Sequence, residues 1–346
     1  MIKKGQKAIV AMSGGMDSSV AAALLKKAGF NVIGIFMKLA GLSRPDEEKR
    51  AKKIAKILGI PFLSLDLRRE FKKRIIERFL KEHKAGLTPN PCVVCNKEMK
   101  FGLLLERALK LNADYVATGH YARKIQTAKV KSYKLLKAED KNKDQSYFLW
   151  MLNQKQLKRV LFPVGNYTRK EVEKLAKKFK LPVLKTKKSV EICFIKTTAN
   201  DFLKKHLKEK PGRIVDNRKK EIGRHQGLYF YTIGQRKGIG LPGGPYYVLD
   251  KDFKKNLLIV TKKEKDLYKK ELIAKNVNWI SGKKPKLPLK VKAKIRYRHK
   301  VSPATVYKIQ NTKYKILFSS SQRAITPGQS AVFYKGEELL GGGIIC

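Results

Sequence analysis

With 346 residues, 79 Lys and Arg against 28 Asp and Glu, and a formal net charge of +51, the chain is too long for one typical core and too basic to be indifferent to polyanions. No apolar run approaches the roughly 20 residues that a bilayer-spanning helix needs, and four cysteines, Cys92, Cys95, Cys193 and Cys346, are too few for a disulfide scaffold. Two or three domains in a cytoplasmic protein with a nucleic-acid partner are expected. Lysines scattered along the whole chain keep compositional bias on solvated faces open as the plainer explanation.

In chain order, Lys7–Met12 has the length and composition of a buried parallel strand, and Ser18–Lys26 is Ala/Leu-rich helix former followed by Gly29. Between them, Ser13-Gly14-Gly15-Met16-Asp17-Ser18 makes a strand–glycine turn–helix. Two glycines permit a tight turn and expose bare N–H groups, and the helix N-terminus adds its positive dipole end, so an anion is favoured there. No Gly-Lys-Ser/Thr follows, which excludes a Walker A loop. SGGMDSS resembles the pyrophosphate-gripping loop of the ATP pyrophosphatase superfamily; an ordinary glycine turn is the alternative. Asp17 is the natural Mg²⁺ partner, since Mg²⁺ on phosphates takes one or two carboxylates.

Asn31–Lys38 reads as a second strand, Pro45–Leu58 as an amphipathic surface helix, Pro61–Leu67 as a third strand and Phe71–His83 as another helix. Alternating strands and helices indicate a doubly wound α/β fold with a parallel sheet, and ligands sit at the carboxyl ends of such strands. Met37 lies at one such end, where its thioether either packs an adenine or belongs to the core. Ala113–Tyr121, another expected strand, ends in Gly119-His120 on the same edge.

Thr88-Pro89-Asn90-Pro91 forms a rigid extended loop delivering Cys92 and Cys95 to a helix expected to begin near Asn96. A helix N-terminus with Lys97 and Lys100 nearby lowers a thiol's pKa. Asp140–Phe148 is polar loop. Tyr167–Lys180 reads as a helix capped by Thr168 with Glu171 in a capping box. Lys185–Ile195 puts Cys193 on a β-like run behind Lys180, Lys185, Lys187 and Lys188. Beyond about Phe202, short strands and Gly-rich turns indicate small β domains. The division expected is 1–202, an ATP-binding domain; 203–270, a small central domain; and 271–346, a C-terminal β-barrel.

SGGMDSS, TPNPCVVCNKEMKF, ATGHY, NKDQSYFL, EICFI, HQGLYFYTIGQRKG and TPGQSAVFY, in this order, resemble the tRNA-specific 2-thiouridylases over nearly the whole chain. The resemblance implies an adenylating domain, a small central domain and a β-barrel, and thiolation of the wobble uridine in tRNAs for Lys, Glu and Gln. By position it implies ATP contacts at Ala11, Met12, Ser13, Gly14, Gly15, Met16, Asp17, Ser18, Met37 and Gly119. Cys95 matches the nucleophile, and Cys193 the residue that carries a persulfide received from a sulfur-donor protein. Asn90, Pro91 and Cys92 match the segment facing the target base, and His120, Lys143, Asp144, Gln145, Arg296, Tyr297 and Gln329 match tRNA contacts. Many members carry Asp where this chain has Cys92, so that carboxylate's role does not transfer.

The chemistry fits these parts independently. Uracil O2 is a poor leaving group, and adenylylation by ATP with Mg²⁺ makes it a good one. Cys95 attacking the S–S bond of a Cys193 persulfide frees sulfur and leaves a disulfide. An iron–sulfur cluster on Cys92, Cys95 and Cys193 is the alternative; zinc lacks its further ligands. Two other readings stay open: an adenylating synthetase for a small acid, and a non-catalytic RNA-binding protein. A monomer is expected, and Cys346, at the last position, has no assigned part.

Overall fold

The computed structural model describes residues 5–41, 45–127, 132–182, 192–310 and 312–346. The first unit is an all-parallel sheet with strand order β3-β2-β1-β4-β7, made of β1 (Lys7–Ala11), β2 (Asn31–Lys38), β3 (Phe62–Asp66), β4 (Tyr115–Ala117) and β7 (Val160–Leu161). Its central strand is apolar because both faces are covered: Ala8, Ile9 and Val10 have no exposed surface. Helix α1 (Met16–Lys27) packs its alanine-rich face here, and α2 (Pro45–Ile57) buries Ala51, Ile54 and Ala55. The strand order reverses between β1 and β4, so their carboxyl ends form the crevice where ligands bind in such sheets.

Two long helices carry π turns. Helix α3 runs over 68–84 with a π segment at Lys72–Ile76, and α4 over 91–110 with one at Asn96–Leu103. α4 starts earlier than Asn96: Asn90 is its N-cap and Pro91, whose missing N–H would be unpaired there anyway, occupies the first turn. Cys92 and Cys95 are therefore helical residues rather than residues of a preceding loop. Helix α5 (Arg169–Lys178) begins as expected, with Thr168 and Glu171 closing a reciprocal capping box. The expected strand at 113–121 is shorter, because ATGHY leaves the sheet after Ala117.

The central unit pairs β8 (Gly212–Val215) with β9 (Glu221–His225) and β10 (Tyr247–Asp252) with β11 (Leu257–Thr261); β11 and β8 join in parallel. The third unit closes six strands into a barrel in the order β12-β15-β14-β13-β16-β17 and back to β12. They are β12 (Tyr268–Trp279), β13 (Leu289–Lys294), β14 (Ser302–Gln310), β15 (Lys313–Arg323), β16 (Ser330–Lys335) and β17 (Glu338–Ile345). Arg296 and Tyr297 lie just beyond β13, not on a strand.

Sequence reading misses one long-range element. The hairpin β5 (Arg123–Gln126) and β6 (Tyr133–Leu136), which lies in sequence between β4 and β7 of the parallel sheet, adds to the barrel through β17, with Leu135 opposite Leu339. Tyr147 and Trp150 follow it into the seam, donating to the Ser330 carbonyl at 3.0 Å and to Ser330 Oγ at 3.0 Å. Both rings are fully buried against Val332, Tyr334 and Leu339. Large aromatic burial with satisfied polar tips explains why these units hold together.

Candidate active site

The phosphate loop sits at the switch point. Gly14 has φ +72, and a Cβ there would stand 2.5 Å from the Glu47 carbonyl of α2. Gly119, arriving from β4, touches the first turn of α1 so closely that a Cβ would lie 2.6 Å from Asp17 C and Ser18 N. Both glycines are thus demanded by packing, and Gly14 by its left-handed backbone as well. Ser13 and Ser18 hydroxyls lie 3.2 Å apart, Ser18 Oγ donates to the Gly15 carbonyl at 3.1 Å, and Gly15 is the N-cap of α1. Arg50 Nε holds the Gly14 carbonyl from outside at 2.7 Å. Ala11 and Gly15 are half-buried, Met12 and Met16 buried, and Met37 half-buried at the end of β2.

Asp17, in the first turn of α1, accepts from Tyr121 Oη at 2.9 Å and from Arg169 Nη1 at 2.7 Å, both on Oδ1. The other carboxylate oxygen is the one suited to Mg²⁺ carried on a pyrophosphate. Neither Tyr121 nor Arg169 was singled out by sequence. One signal was present: an arginine in the first turn of α5 puts a cation at the positive end of a helix, an unfavourable place unless something else holds it.

The second cluster is made of sulfur. Phe194 and Ile195 pack in the same apolar cluster as Cys95, Val94 and Met99, with Phe194 in edge contact with Phe71, Phe79 and Phe202 at 5.9, 5.4 and 5.3 Å. This anchors a turn, closed by the Ile195 N–H on the Ile192 carbonyl at 3.0 Å, on which Cys193 rides. The expected β-run therefore becomes a turn at Cys193, and Lys185, Lys187 and Lys188 lie outside the described residues. Cys92, Cys95 and Cys193, about a hundred positions apart in sequence, come near enough that the charge of one acts on the others.

The expectation of acidified thiols is overturned. Burial pushes Cys92 up to about 11 and Cys95 up to about 12, and holds Cys193 above its ordinary value even though that residue is exposed. Desolvation of a thiolate outweighs the helix dipole here because the helix N-terminus is itself buried against the other domains. Among the described residues one cation opposes it: Lys100 lowers all three thiols, while Lys97 has no such effect and offers its carbonyl to Gln156. The π segment explains the choice. Its i→i+5 bonding brings position 100 back over position 95, where an α-helix would turn it away.

Lys100 Nζ also lies 3.4 Å from His120 Nε2, and His120 Nδ1 lies 2.6 Å from Thr118 Oγ1. An ammonium can only donate, so Nε2 accepts and Nδ1–H donates to the threonine. Burial holds His120 well below its ordinary pKa, so it is neutral. It lies buried behind the lysine, with rings Phe101 and Phe162 about it.

The remaining expected RNA contacts fall along the seam. Lys143 is exposed; Asp144 is buried, accepting from the Ala138 and Ser146 N–H groups at 3.0 and 3.1 Å; Gln145 Oε1 accepts from the Tyr121 N–H at 3.0 Å. Asn90 bonds Tyr147, and Gln329 Nε2 donates to the Thr88 carbonyl at 2.8 Å, while Pro91 is buried. Arg296 Nη2 donates to the Ala324 carbonyl at 2.6 Å and the Ile233 carbonyl at 3.3 Å, linking barrel to central unit. Tyr297 packs against Phe148 with ring centroids 4.4 Å apart and planes tilted by 43°, next to Lys294. Asp144, Gln329 and Arg296 thus have protein partners, whereas Lys143, Tyr297 and Phe148 keep surface. Among the described residues no three His, Cys, Asp or Glu side chains are arranged to hold a metal ion, and no helix is long and apolar enough to cross a membrane.

The tRNA methyl transferase HUP domain family matches residues 6–197, the tRNA methyl transferase PRC-barrel domain 200–262, and the aminomethyltransferase beta-barrel domain 269–345. The chain is 47% identical over 354 residues to the tRNA-specific 2-thiouridylase MnmA 2 of Thermoanaerobacter sp. (strain X514), covering 97% of this chain and 96% of that protein. It is 44% identical over 340 residues to its counterpart in Syntrophomonas wolfei subsp. wolfei, covering 98% and 99%. With the counterpart in Clostridioides difficile (strain 630), identity is 43% over 356 residues, covering 98% of each. A phosphate loop and a thiol cluster on a three-unit chain, matched nearly end to end by such relatives, lead to one assignment: the chain belongs to the tRNA-specific 2-thiouridylase family.

Proposed function

We propose that this chain is an ATP-dependent tRNA-uridine 2-sulfurtransferase acting on the anticodon wobble uridine of the Lys, Glu and Gln isoacceptors. The observation that carries the reading is the approach of Cys193 to Cys95 beside Lys100, their segments sharing one apolar cluster with Met37 and Leu65 from the ends of β2 and β3. The 13–18 loop holds the pyrophosphate of ATP, and Asp17 is the residue that would hold Mg²⁺, which would supply charge neutralisation on the triphosphate. The uracil O2 attacks the α-phosphorus, the bond to the β-phosphate breaks with its electron pair leaving on pyrophosphate, and the N3 proton is lost to solvent. The anticodon is already a loop, so extruding the base costs little.

Sulfur arrives as a persulfide on Cys193, supplied by a carrier protein. In the first mode its terminal sulfur attacks C2, AMP leaves, and the Cys95 thiolate then breaks the remaining S–S bond, leaving thiocarbonyl and a Cys95–Cys193 disulfide. In the second, Cys95 attacks first and expels hydrosulfide, which attacks C2; the same disulfide forms and AMP leaves. Either is regenerated by an external thiol reductant. Lys100 offsets the burial that keeps these thiols protonated. The persulfide reading takes two thiols one at a time and needs no metal-holding arrangement. An iron–sulfur cluster on Cys92, Cys95 and Cys193 is the competing reading, and iron and sulfide analysis after anaerobic purification separates the two.

Cys95→Ser and Cys193→Ser are each expected to keep tRNA affinity and abolish 2-thiouridine formation in an assay with persulfide donor, ATP and unmodified tRNA. Retained thiolation in either variant sinks the relay. Pyrophosphate exchange supported by a small acid but by no tRNA would instead favour a synthetase.

A further inference from the structure

AMP transfer leaves pyrophosphate with a new negative charge, yet the 13–19 segment contains no lysine or arginine. A P-loop carries its cation within the loop; here it must come from elsewhere. Among the described residues, Arg50 spends its Nε on the Gly14 carbonyl, and Lys38 is paired with Glu48 at 3.1 Å. Arg169 is paired as well, with Asp17 at 2.7 Å and Glu173 at 3.0 Å, but it reaches from α5 to the first turn of α1 beside the loop, and a guanidinium has five N–H donors, more than these two contacts use.

We propose that Arg169 is the pyrophosphate clamp of this site, a guanidinium delivered from a separate helix to take the charge of the departing group. The inference rests on the adenylylation reading above and adds a residue to it. Arg169 is set firmly: its own N–H donates to Asp140 Oδ2 at 2.9 Å, its Nε to Glu173 Oε1 at 3.0 Å, and the capping box fixes the turn it starts. Its side chain is nonetheless 33% exposed, so an anion can reach the fork. A planar guanidinium suits paired phosphate oxygens better than an ammonium does.

A helix-to-helix tie is the competing explanation. The two helices already adhere through Val172 and Ala176 of α5 against the cluster that holds Val20, Ala21 and Ala22 of α1. A partly exposed ion pair adds little to such a contact. Asp140, which fixes the Arg169 backbone, also shapes the loop leading to Lys143 and Gln145 through the N–H groups of Asn142 and Lys143. The clamp is therefore built on the same loop that the RNA is expected to meet.

The test uses the full chain, unmodified tRNA and ATP, reading AMP formation and its inhibition by added inorganic pyrophosphate. Arg169→Ala is expected to weaken pyrophosphate inhibition and raise the KM for ATP by about tenfold or more, as loss of a charged hydrogen bond does, with tRNA affinity kept within about twofold. Arg169→Lys should fall between. Unchanged pyrophosphate inhibition together with a lower Tm would make Arg169 a helix tie and overturn the clamp. Should Arg169→Ala fail to fold, Glu173→Gln decides: freeing the guanidinium should tighten pyrophosphate by about threefold, and no change overturns the proposal. Wild-type protein that forms no AMP with any tRNA removes the adenylylation reading and the clamp with it, whereas normal AMP formation with indifferent variants removes the clamp alone.

Discussion

The two halves of this active site are built on opposite principles. The phosphate loop is a dense set of donors within six residues, polar and partly open, with every charge met by a partner close in space. The thiol pocket is apolar, assembled from segments a hundred residues apart, and among the described residues Lys100 is the cation that acts on its three sulfurs. One site stabilises negative charge by supplying hydrogen bonds; the other suppresses it by excluding water, holding Cys95 up at about 12. A buried, protonated thiol is safe from oxidation and reacts only when a charge or a substrate arrives. The contrast teaches that adenylylation is preorganised, whereas sulfur transfer is held back.

Substitutions can break the first half outright. Gly119→Ala drives a methyl into the backbone of Asp17 and Ser18 and should cut AMP formation by about 100-fold, an overpacking cost of roughly 3 kcal/mol, while tRNA binding persists. The second half should respond to Lys100. Lys100→Met is expected to slow alkylation of the thiols by about tenfold at fixed pH and to move the alkylation profile toward higher pH by about one unit; an unchanged profile would detach Lys100 from the thiols.

Stability at acid pH sharpens the comparison further. Burial holds His83 at about 4, below its ordinary 6.5, in the wall where α3 meets the Tyr229 carbonyl. Below 6.5 the unfolded chain takes up a proton that the folded chain refuses, so stability is full above that pH and falls as pH drops toward 4. By pH 5 the loss from this residue reaches about 2 kcal/mol. His83→Gln should flatten that limb of a urea-midpoint series between pH 7 and 5. The smallest effect expected is Gln329→Ala, which removes one hydrogen bond to Thr88 and should lower stability by about 1 kcal/mol, read as a small drop in Tm with thiolation nearly intact.

Much of the chemistry was legible in order along the chain. Gly14, Gly15 and Asp17 are contiguous, and a strand–turn–helix encodes its own geometry, so local reading finds it. The capping box at Thr168 and Glu171 is local too and was read correctly. Cys95 and Cys193 were paired through resemblance, since nothing in spacing alone brings them together. The thiols' titration was read in the wrong direction because a helix N-terminus is visible in sequence, whereas the apolar wall of Phe194, Ile195 and Met99 around it is not.

Sequence by itself determined the parallel sheet, the phosphate loop and the β texture of the last third, because each follows from short-range pattern: strand period, glycine at positive φ, helix caps. Only the tertiary structure decided that β5 and β6 complete the edge of a distant barrel, that Lys100 turns onto the sulfur face through a π segment, and that Arg169 reaches Asp17. These depend on which surfaces exclude water from one another, and that is a property of the packed chain rather than of any stretch of it.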